Sequence, residues 1–128
     1  MKLKTLLILG AIVNAIFGLA FLLVPEAVTS VYGNTLSQGG IIFARLFGAA
    51  MLGFAALSWS ARSAPESEAR RSIVLGSFVY SVLGFIVSLV SQLAGMVNAL
   101  GWSTVVLFLL FALGFGYFQF MKPKVAVT

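Results

Sequence analysis

The sequence predicts an all-α fold, a polytopic membrane protein built as a four-transmembrane-helix bundle with both termini in the cytoplasm. Of the 128 residues, 61% are apolar and only 9% are charged, which is outside the range of soluble domains. Residues 72–121 contain no Asp, Glu, Lys, Arg or His. One span needs about 20 apolar residues, so this run holds two spans. The basic residues flank the apolar segments unevenly, which indicates a definite orientation.

The chain is predicted to form one transmembrane domain, residues 1–128. Four spans and three short connections take up nearly all of it, so no soluble catalytic domain is expected. The sequence has no Cys and no His, which excludes thiol chemistry and the usual haem and copper ligands. We therefore expect no cofactor, no metal site and no catalytic residues. The chain has a net charge of +5. Its basic residues flank apolar segments, where cations set the orientation of the helices, so the charge does not indicate nucleic-acid binding.

The first predicted span covers residues 5–24. Lys2 and Lys4 precede it and Pro25 closes it. A basic start before an apolar run is also typical of a cleavable signal peptide, and residues 13–15 loosely resemble a cleavage site. The apolar run continues well past that point, so we interpret the segment as a retained span.

The other three spans follow from the same length criterion. They cover residues 40–60, 72–92 and 99–121. A polar segment separates the second span from the third, and Pro65 within it stops helical continuation. Acidic residues in this segment precede Arg70 and Arg71. That order is typical of the start of a helix whose basic residues lie at the membrane interface.

The distribution of basic residues among the connections predicts the orientation. Seven of the eight precede span one, separate spans two and three, or follow span four: Lys2, Lys4, Arg62, Arg70, Arg71, Lys122 and Lys124. Residues 26–39 and 93–98 contain no Lys or Arg. The positive-inside bias therefore predicts that both termini are cytoplasmic. So strong a bias also disfavours a transporter that inserts in both orientations.

Small residues recur at helical spacing along the first three spans. Helices in lipid associate through such residues, because close packing replaces the hydrophobic driving force that is missing there. We predict that these positions form helix-packing faces: Gly10, Gly18, Gly48, Ala49, Gly53, Ser77, Ser81, Gly84 and Ser88. A branched side chain at Gly53 or Gly84 is expected to destabilise the bundle.

The fourth span carries an aromatic ridge, formed by Phe108, Phe111, Phe115 and Phe118. The sequence leaves two interpretations of this ridge open. The rings can pack inward against the small-residue faces, since bulky and small surfaces complement each other. They can also face outward toward lipid, a partner subunit or an apolar ligand such as a quinone or carotenoid.

Arg45, Glu26 and Asn14 form a candidate polar or intramembrane site. Arg45 is the ionisable residue placed within a predicted span, where an unpaired charge costs several kcal/mol. Its side chain can reach the nearer interface, and we expect a structural pair with Glu26; contact with an anion, a lipid headgroup or a partner is the alternative. Asn14, near the middle of span one, is expected to hydrogen-bond a neighbouring helix.

Several short segments together resemble a family of small, uncharacterised four-span bacterial membrane proteins. They are Gly18, Pro25-Glu26, Tyr32-Gly33, residues 44–50 with Gly53, residues 59–62, and Gly101-Trp102. These are domain-of-unknown-function proteins, some of which are similar to the DoxX-like group. The resemblance covers most of the chain and implies a four-helix bundle in a prokaryotic plasma membrane. It implies no activity, because it carries over no catalytic residues.

The predicted function is that of a non-catalytic integral membrane protein, an accessory or structural subunit within a larger membrane complex or a homo-oligomer. The expected partners are the lipid bilayer and other membrane subunits or further copies of the chain. One alternative is a small channel or transporter with Arg45 and Asn14 on its path. Another is a binder of an apolar ligand, such as a lipid or quinone, in a cleft along span four. An enzyme is disfavoured, because the three acidic residues all lie in connections.

The orientation can be tested with single-cysteine variants, because the chain has no Cys of its own. A membrane-impermeant thiol reagent added from outside is expected to label Ser37→Cys and to spare Ser67→Cys, since only the second connection is basic. Labelling of both after the membrane is permeabilised serves as the control. The reverse pattern in intact cells would contradict the predicted orientation.

Overall fold

The computed structural model describes residues 2–121. Over this range the fold is all-α and has no strand, which confirms the all-α part of the prediction. It contains five α-helices and a π-helical turn: α1 Leu3–Leu23, α2 Pro25–Val31, α3 Gln38–Ala61, α4 Glu68–Leu93, α5 Gly101–Gly116 and the π-helical turn Tyr117–Met121. Lys122 and Lys124, which contributed to the predicted orientation, lie outside the described residues.

Four segments of the described chain are long and apolar enough to cross a membrane: Leu3–Leu23, Gln38–Ala61, Glu68–Leu93 and Gly101–Met121. The fourth combines α5 with the π-helical turn. Large apolar side chains stay exposed on these segments, among them Phe43 at 73% and Leu93 at 72%. A surface of this kind aggregates in water and is solvated by lipid. The structure therefore supports a membrane protein.

Serine caps begin two of the long helices. The Ser37 Oγ accepts a hydrogen bond from the Gly40 amide at 3.0 Å, and the Ser67 Oγ accepts one from the Arg70 amide at 3.2 Å. Each cap satisfies an N-terminal amide that has no carbonyl partner within its helix. Glu68 lies in the first turn of α4, as the predicted acidic helix start requires.

A short helix, α2, occupies part of the first connection, where the sequence predicted only a link between spans. Pro25 lies at its start, where a fixed φ fits the helix and a missing amide costs nothing. The chain then turns at Gly33, whose φ of +86° is accessible to glycine without strain. The hydropathy criterion missed α2 because seven residues are too few to span a bilayer.

The long helices pack as two antiparallel pairs, α1 with α3 and α4 with α5. Contacts are extensive within each pair and sparse between the pairs. In the first pair the two backbones meet at Gly18 and Gly48. A Cβ built on Gly48 would lie 2.7 Å from the Gly18 carbonyl oxygen, and a Cβ on Gly18 would lie 3.0 Å from the Gly48 carbonyl oxygen. These two predicted packing residues thus lie at the crossing of α1 and α3.

The buried apolar core lies at one end of the bundle. We name this the basic end, because Lys2, Arg62 and Arg70 lie beside it. The core consists of Leu3, Leu6, Leu7, Ala61, Val74 and Phe115, of which Leu7 is completely buried. All four long helices contribute a residue to it. The core therefore joins the two helix pairs at the basic end.

Two of the predicted packing residues do not lie between helices of this chain. Ala49 and Gly53 are exposed, and a Cβ built on Gly53 would have no neighbour within 4 Å. The prediction that they pack within the bundle is wrong for the single chain, because α3 turns its Gly48 and Met51 face inward. Arg45, Ala49 and Gly53 instead share the outer surface of α3.

The crossing at Gly48 can be tested against Gly53, a glycine of the same helix. Gly48→Ala is expected to lower the free energy of unfolding in mild detergent by about 1–3 kcal/mol, because its Cβ would press on the α1 backbone. Gly53→Ala is expected to be neutral or to raise stability by about 0.5–1 kcal/mol, since alanine favours a helix more than glycine. Equal losses at both positions would contradict this packing.

Candidate functional site

A cavity of about 280 Å³ lies between the two helix pairs, and all five α-helices contribute to its wall. At the basic end it stops at Gly10, Ser58 and Ser77, next to the apolar core. At the opposite end it reaches Thr29 and Asn34. Pairwise packing explains this space, because sparse contact between the pairs leaves room along the bundle axis.

Aromatic side chains from the four long helices line the cavity: Phe17, Phe21, Phe47, Phe54, Tyr80, Phe108, Phe111 and Phe115. Tyr80 contacts rings on both pairs. It stacks on Phe54, with centroids 4.7 Å apart and planes 15° apart, and meets Phe108 edge to face at 5.5 Å and 82°. Such contacts contribute about 0.5–1.5 kcal/mol each beyond the buried area. The rings therefore hold one another in place around the cavity.

The predicted aromatic ridge of span four faces the interior of the bundle. Phe108 and Phe111 line the cavity. Phe115, only 3% exposed, lines the cavity and belongs to the core, and Phe118 packs against that core. The sequence left two directions open for this ridge, and in the structure its rings face inward. Packing inward also brings three of the four rings to the surface that a ligand would contact.

The cavity wall also includes the predicted packing serines of α4, Ser77, Ser81 and Ser88. The Ser81 Oγ donates to the Ser77 carbonyl oxygen at 2.7 Å, and the Ser88 Oγ donates to a carbonyl three residues earlier at 3.1 Å. Each hydroxyl thus bonds its own helix. A Cβ on Gly84 would collide with the Phe108 ring. The small residues of α4 therefore make room for rings and leave the cavity between the pairs.

Asn14 lies midway along α1 and lines the cavity. Its Nδ2 donates to the Gly10 carbonyl oxygen at 2.8 Å, whereas its Oδ1 is buried and accepts no hydrogen bond within residues 2–121. The expectation that Asn14 bonds a neighbouring helix is therefore wrong, because the amide bonds a carbonyl of its own helix. A buried acceptor without a partner costs about 1–3 kcal/mol, which a donor inside the cavity would remove.

Asn98 joins the two helix pairs at the end opposite the core, which we name the clasp end. Its Nδ2 donates to the Val31 carbonyl oxygen at 2.9 Å, and its backbone amide donates to the Tyr32 carbonyl oxygen at 3.1 Å. The Thr104 hydroxyl also donates to the Tyr32 hydroxyl, at 3.2 Å. Because Tyr32 and Thr104 line the cavity, these bonds cross its mouth.

Arg45 and Glu26 do not form the predicted pair. Both are exposed, and neither makes an ion pair within the described part of the chain. The ion pairs found there lie at the basic end, where Glu66 contacts Arg70 at 3.1 Å and Arg71 at 3.6 Å. Arg45 points away from the bundle because it lies on the outer face of α3. Of the three candidate polar residues, only Asn14 reaches the cavity.

Sequence reasoning missed much of the cavity wall, including Phe54 and Tyr80, and missed Asn98 at the cavity mouth. Tyr80 did carry a signal, because tyrosine favours the membrane interface and this one lies deep within a predicted span. Phe54 carried none, since phenylalanine is equally common on lipid-facing surfaces. Asn98 lies in a short connection where a polar residue is ordinary, and the partner of its side chain, Val31, lies 67 residues away.

Comparison with known proteins adds a family and no activity. The family described as a domain of unknown function (DUF8292) matches residues 1–120, a range that includes every residue of the cavity wall. No curated protein and no solved structure matches the sequence. The function must therefore be argued from the site.

The clasp can be tested at Asn98. Asn98→Asp keeps the size of the side chain and removes the donor to the Val31 carbonyl oxygen, so unfolding in mild detergent is expected to need about 1–2 kcal/mol less free energy. Asn34→Asp adds the same charge at the same end. Since the Asn34 side chain makes no hydrogen bond within residues 2–121, a change within about 0.5 kcal/mol is expected there. Comparable losses in both variants would contradict the clasp.

Proposed function

We propose that this chain, which belongs to the family of the domain of unknown function DUF8292, is a non-catalytic integral membrane protein that binds a lipid-soluble small molecule in its aromatic cavity. The cavity itself carries the proposal. Ligand sites are concave and mostly apolar, span about 300–1,000 Å³ and contain a few polar groups that orient the ligand. The present cavity, of about 280 Å³ with Asn14 midway along it, lies just below the lower end of that range.

Binding fits the cavity better than conduction does. A channel or transporter needs a polar path that can open at both ends. Here the space ends at the basic end against Leu3, Leu7 and Phe115, which are almost completely buried. Arg45, proposed for such a path on sequence grounds, lies on the outer surface. A ring-lined space that is blocked at one end favours a molecule that stays.

The proposed location is a prokaryotic plasma membrane, with both termini in the cytoplasm. Lys2, Lys4, Arg62, Arg70 and Arg71 all lie at the basic end, which supports this orientation through the positive-inside bias. The clasp end would then face outward. A ligand would reach the cavity from the outer leaflet, between the two helix pairs.

A second candidate function is that of an accessory or structural subunit in a larger complex or a homo-oligomer. The observation that favours it is the outer face of α3, where Ala49 and Gly53 lie exposed one turn apart. Small residues at this spacing allow another helix to approach closely. The two functions are compatible, since a subunit that binds a small molecule can also assemble.

The binding function can be tested with naphthalene, an apolar probe of about the size of the cavity. The protein is placed in lipid nanodiscs, and the uptake of empty nanodiscs is subtracted. Val13→Trp fills part of the cavity and is expected to weaken binding at least tenfold. Ile12→Trp, the matched change on the exposed side of α1, is expected to leave binding within about twofold.

Thermal unfolding of both variants controls for loss of the fold. Leu107→Trp, with Val106→Trp as its exposed partner, gives the same comparison on α5 if the first pair does not fold. Naphthalene uptake no greater than that of empty nanodiscs would overturn the proposal. Equal binding by the cavity-filling and exposed variants would overturn it too.

A further inference from the structure

The unpaired oxygen of Asn14 restricts which molecules suit the cavity. The Asn14 Nδ2 donates to the Gly10 carbonyl oxygen at 2.8 Å, which fixes the orientation of the amide, because the flipped amide would bring two carbonyl oxygens together. The Oδ1 is buried and has no donor within residues 2–121. Because Asn14 lines the cavity, a bound molecule that carries an O–H or N–H group can supply that donor once the side chains that cover the oxygen shift aside.

The rings around the cavity restrict the shape of the ligand. Phe54 and Tyr80 stack at 4.7 Å, Tyr80 meets Phe108 at 5.5 Å, and Phe111 stacks on Phe115 at 6.1 Å. Aromatic rings bind other rings through offset faces and edges. The wall therefore favours a planar aromatic molecule over a flexible chain, which would lose more conformational freedom on binding.

The volume and charge of the cavity complete the description. A cavity of about 150 Å³ holds benzene, so about 280 Å³ has room for one or two fused rings with a small substituent. None of the residues that line it is Asp, Glu, Lys or Arg. A charged ligand would be left unpaired in a membrane interior, which strongly disfavours it. The ligand is therefore neutral.

We infer that the cavity binds neutral, planar aromatic molecules of one or two rings that carry a hydroxyl or N–H donor, with the donor on the Asn14 Oδ1 and the rings against Phe54, Tyr80 and Phe108. This inference rests on the proposed binding function and adds the chemical class of the ligand. Asn14 would orient the ligand and determine specificity, because an unpaired polar atom discriminates strongly between ligands that do and do not satisfy it.

Two probes of the same shape separate this inference from binding in general. 2-Naphthol carries the donor, and 2-methylnaphthalene has a methyl group in its place. Dissociation constants are measured in nanodiscs, with the partitioning of each probe into empty nanodiscs subtracted. The wild-type protein is expected to bind 2-naphthol about tenfold more tightly than 2-methylnaphthalene, a ratio typical of one hydrogen bond to a buried acceptor.

Asn14→Leu is expected to abolish this preference and to bind 2-methylnaphthalene as well as the wild type does, within about twofold. Gln38→Leu, which removes an amide side chain from the exposed start of α3, away from the cavity wall, is expected to keep the preference. Asn14→Ala provides the same readout if the leucine variant does not fold.

Each remaining outcome is decisive. Equal wild-type binding of the two probes overturns the inferred ligand class and leaves the binding function standing. A preference that survives Asn14→Leu, or that disappears in Gln38→Leu, overturns the role of Asn14. Failure of both probes to bind beyond the lipid background overturns the proposed function itself.

Discussion

Pairwise helix packing is the constraint on which the rest of the structure depends. In lipid there is no hydrophobic force to draw helices together, so they associate where small residues let two backbones approach. Gly18 and Gly48 provide such a contact, and α1 and α3 form a close pair around it. The pair α4 and α5 packs separately. Contact between the two pairs is sparse and includes the stack of Tyr80 on Phe54, so a cavity remains between them.

The two ends of the bundle are held together by different forces. At the basic end, Leu3, Leu7, Val74 and Phe115 form a buried apolar core. At the clasp end the pairs are joined by hydrogen bonds that centre on Asn98, which is exposed. The hydrogen bonds at the clasp end can open one at a time, whereas an apolar core must be opened as a whole. This asymmetry makes the clasp end the easier route into the cavity.

The chemistry of the cavity follows from what lines it. Serine hydroxyls on α4 donate to carbonyl oxygens of their own helix, so these hydrogens are not available to a ligand. Asn14 differs, because its amide bonds its own helix through the nitrogen and leaves the oxygen unpaired. The cavity thus combines aromatic faces with an asparagine whose oxygen has no donor within residues 2–121. That combination supports the proposed selective binding of a small neutral molecule.

Composition and residue spacing were sufficient to predict the all-α class and the four long helices. Hydropathy depends on residue type alone, and a span of about 20 residues is long enough to be recognised without any contact. The same reasoning identified Gly18 and Gly48 as packing residues and Asn14 as a polar residue at depth. It could not tell that Gly53 lies outside the bundle, because Gly48 and Gly53 have equally small side chains and only the rotation of α3 distinguishes them.

Tertiary structure alone decided the features that depend on two helices at once. The pairing of Arg45 with Glu26 was compatible with the sequence and does not occur, since the outer face of α3 carries Arg45 away from the bundle. The aromatic ridge had two possible directions, and packing chose the inward one. Asn98 and Tyr32 are distant in sequence and meet only when both helix pairs are assembled. The sequence by itself determined which segments are helices suited to lipid, because that depends on local composition; the cavity needed the tertiary structure, because it is formed by the distance between helices.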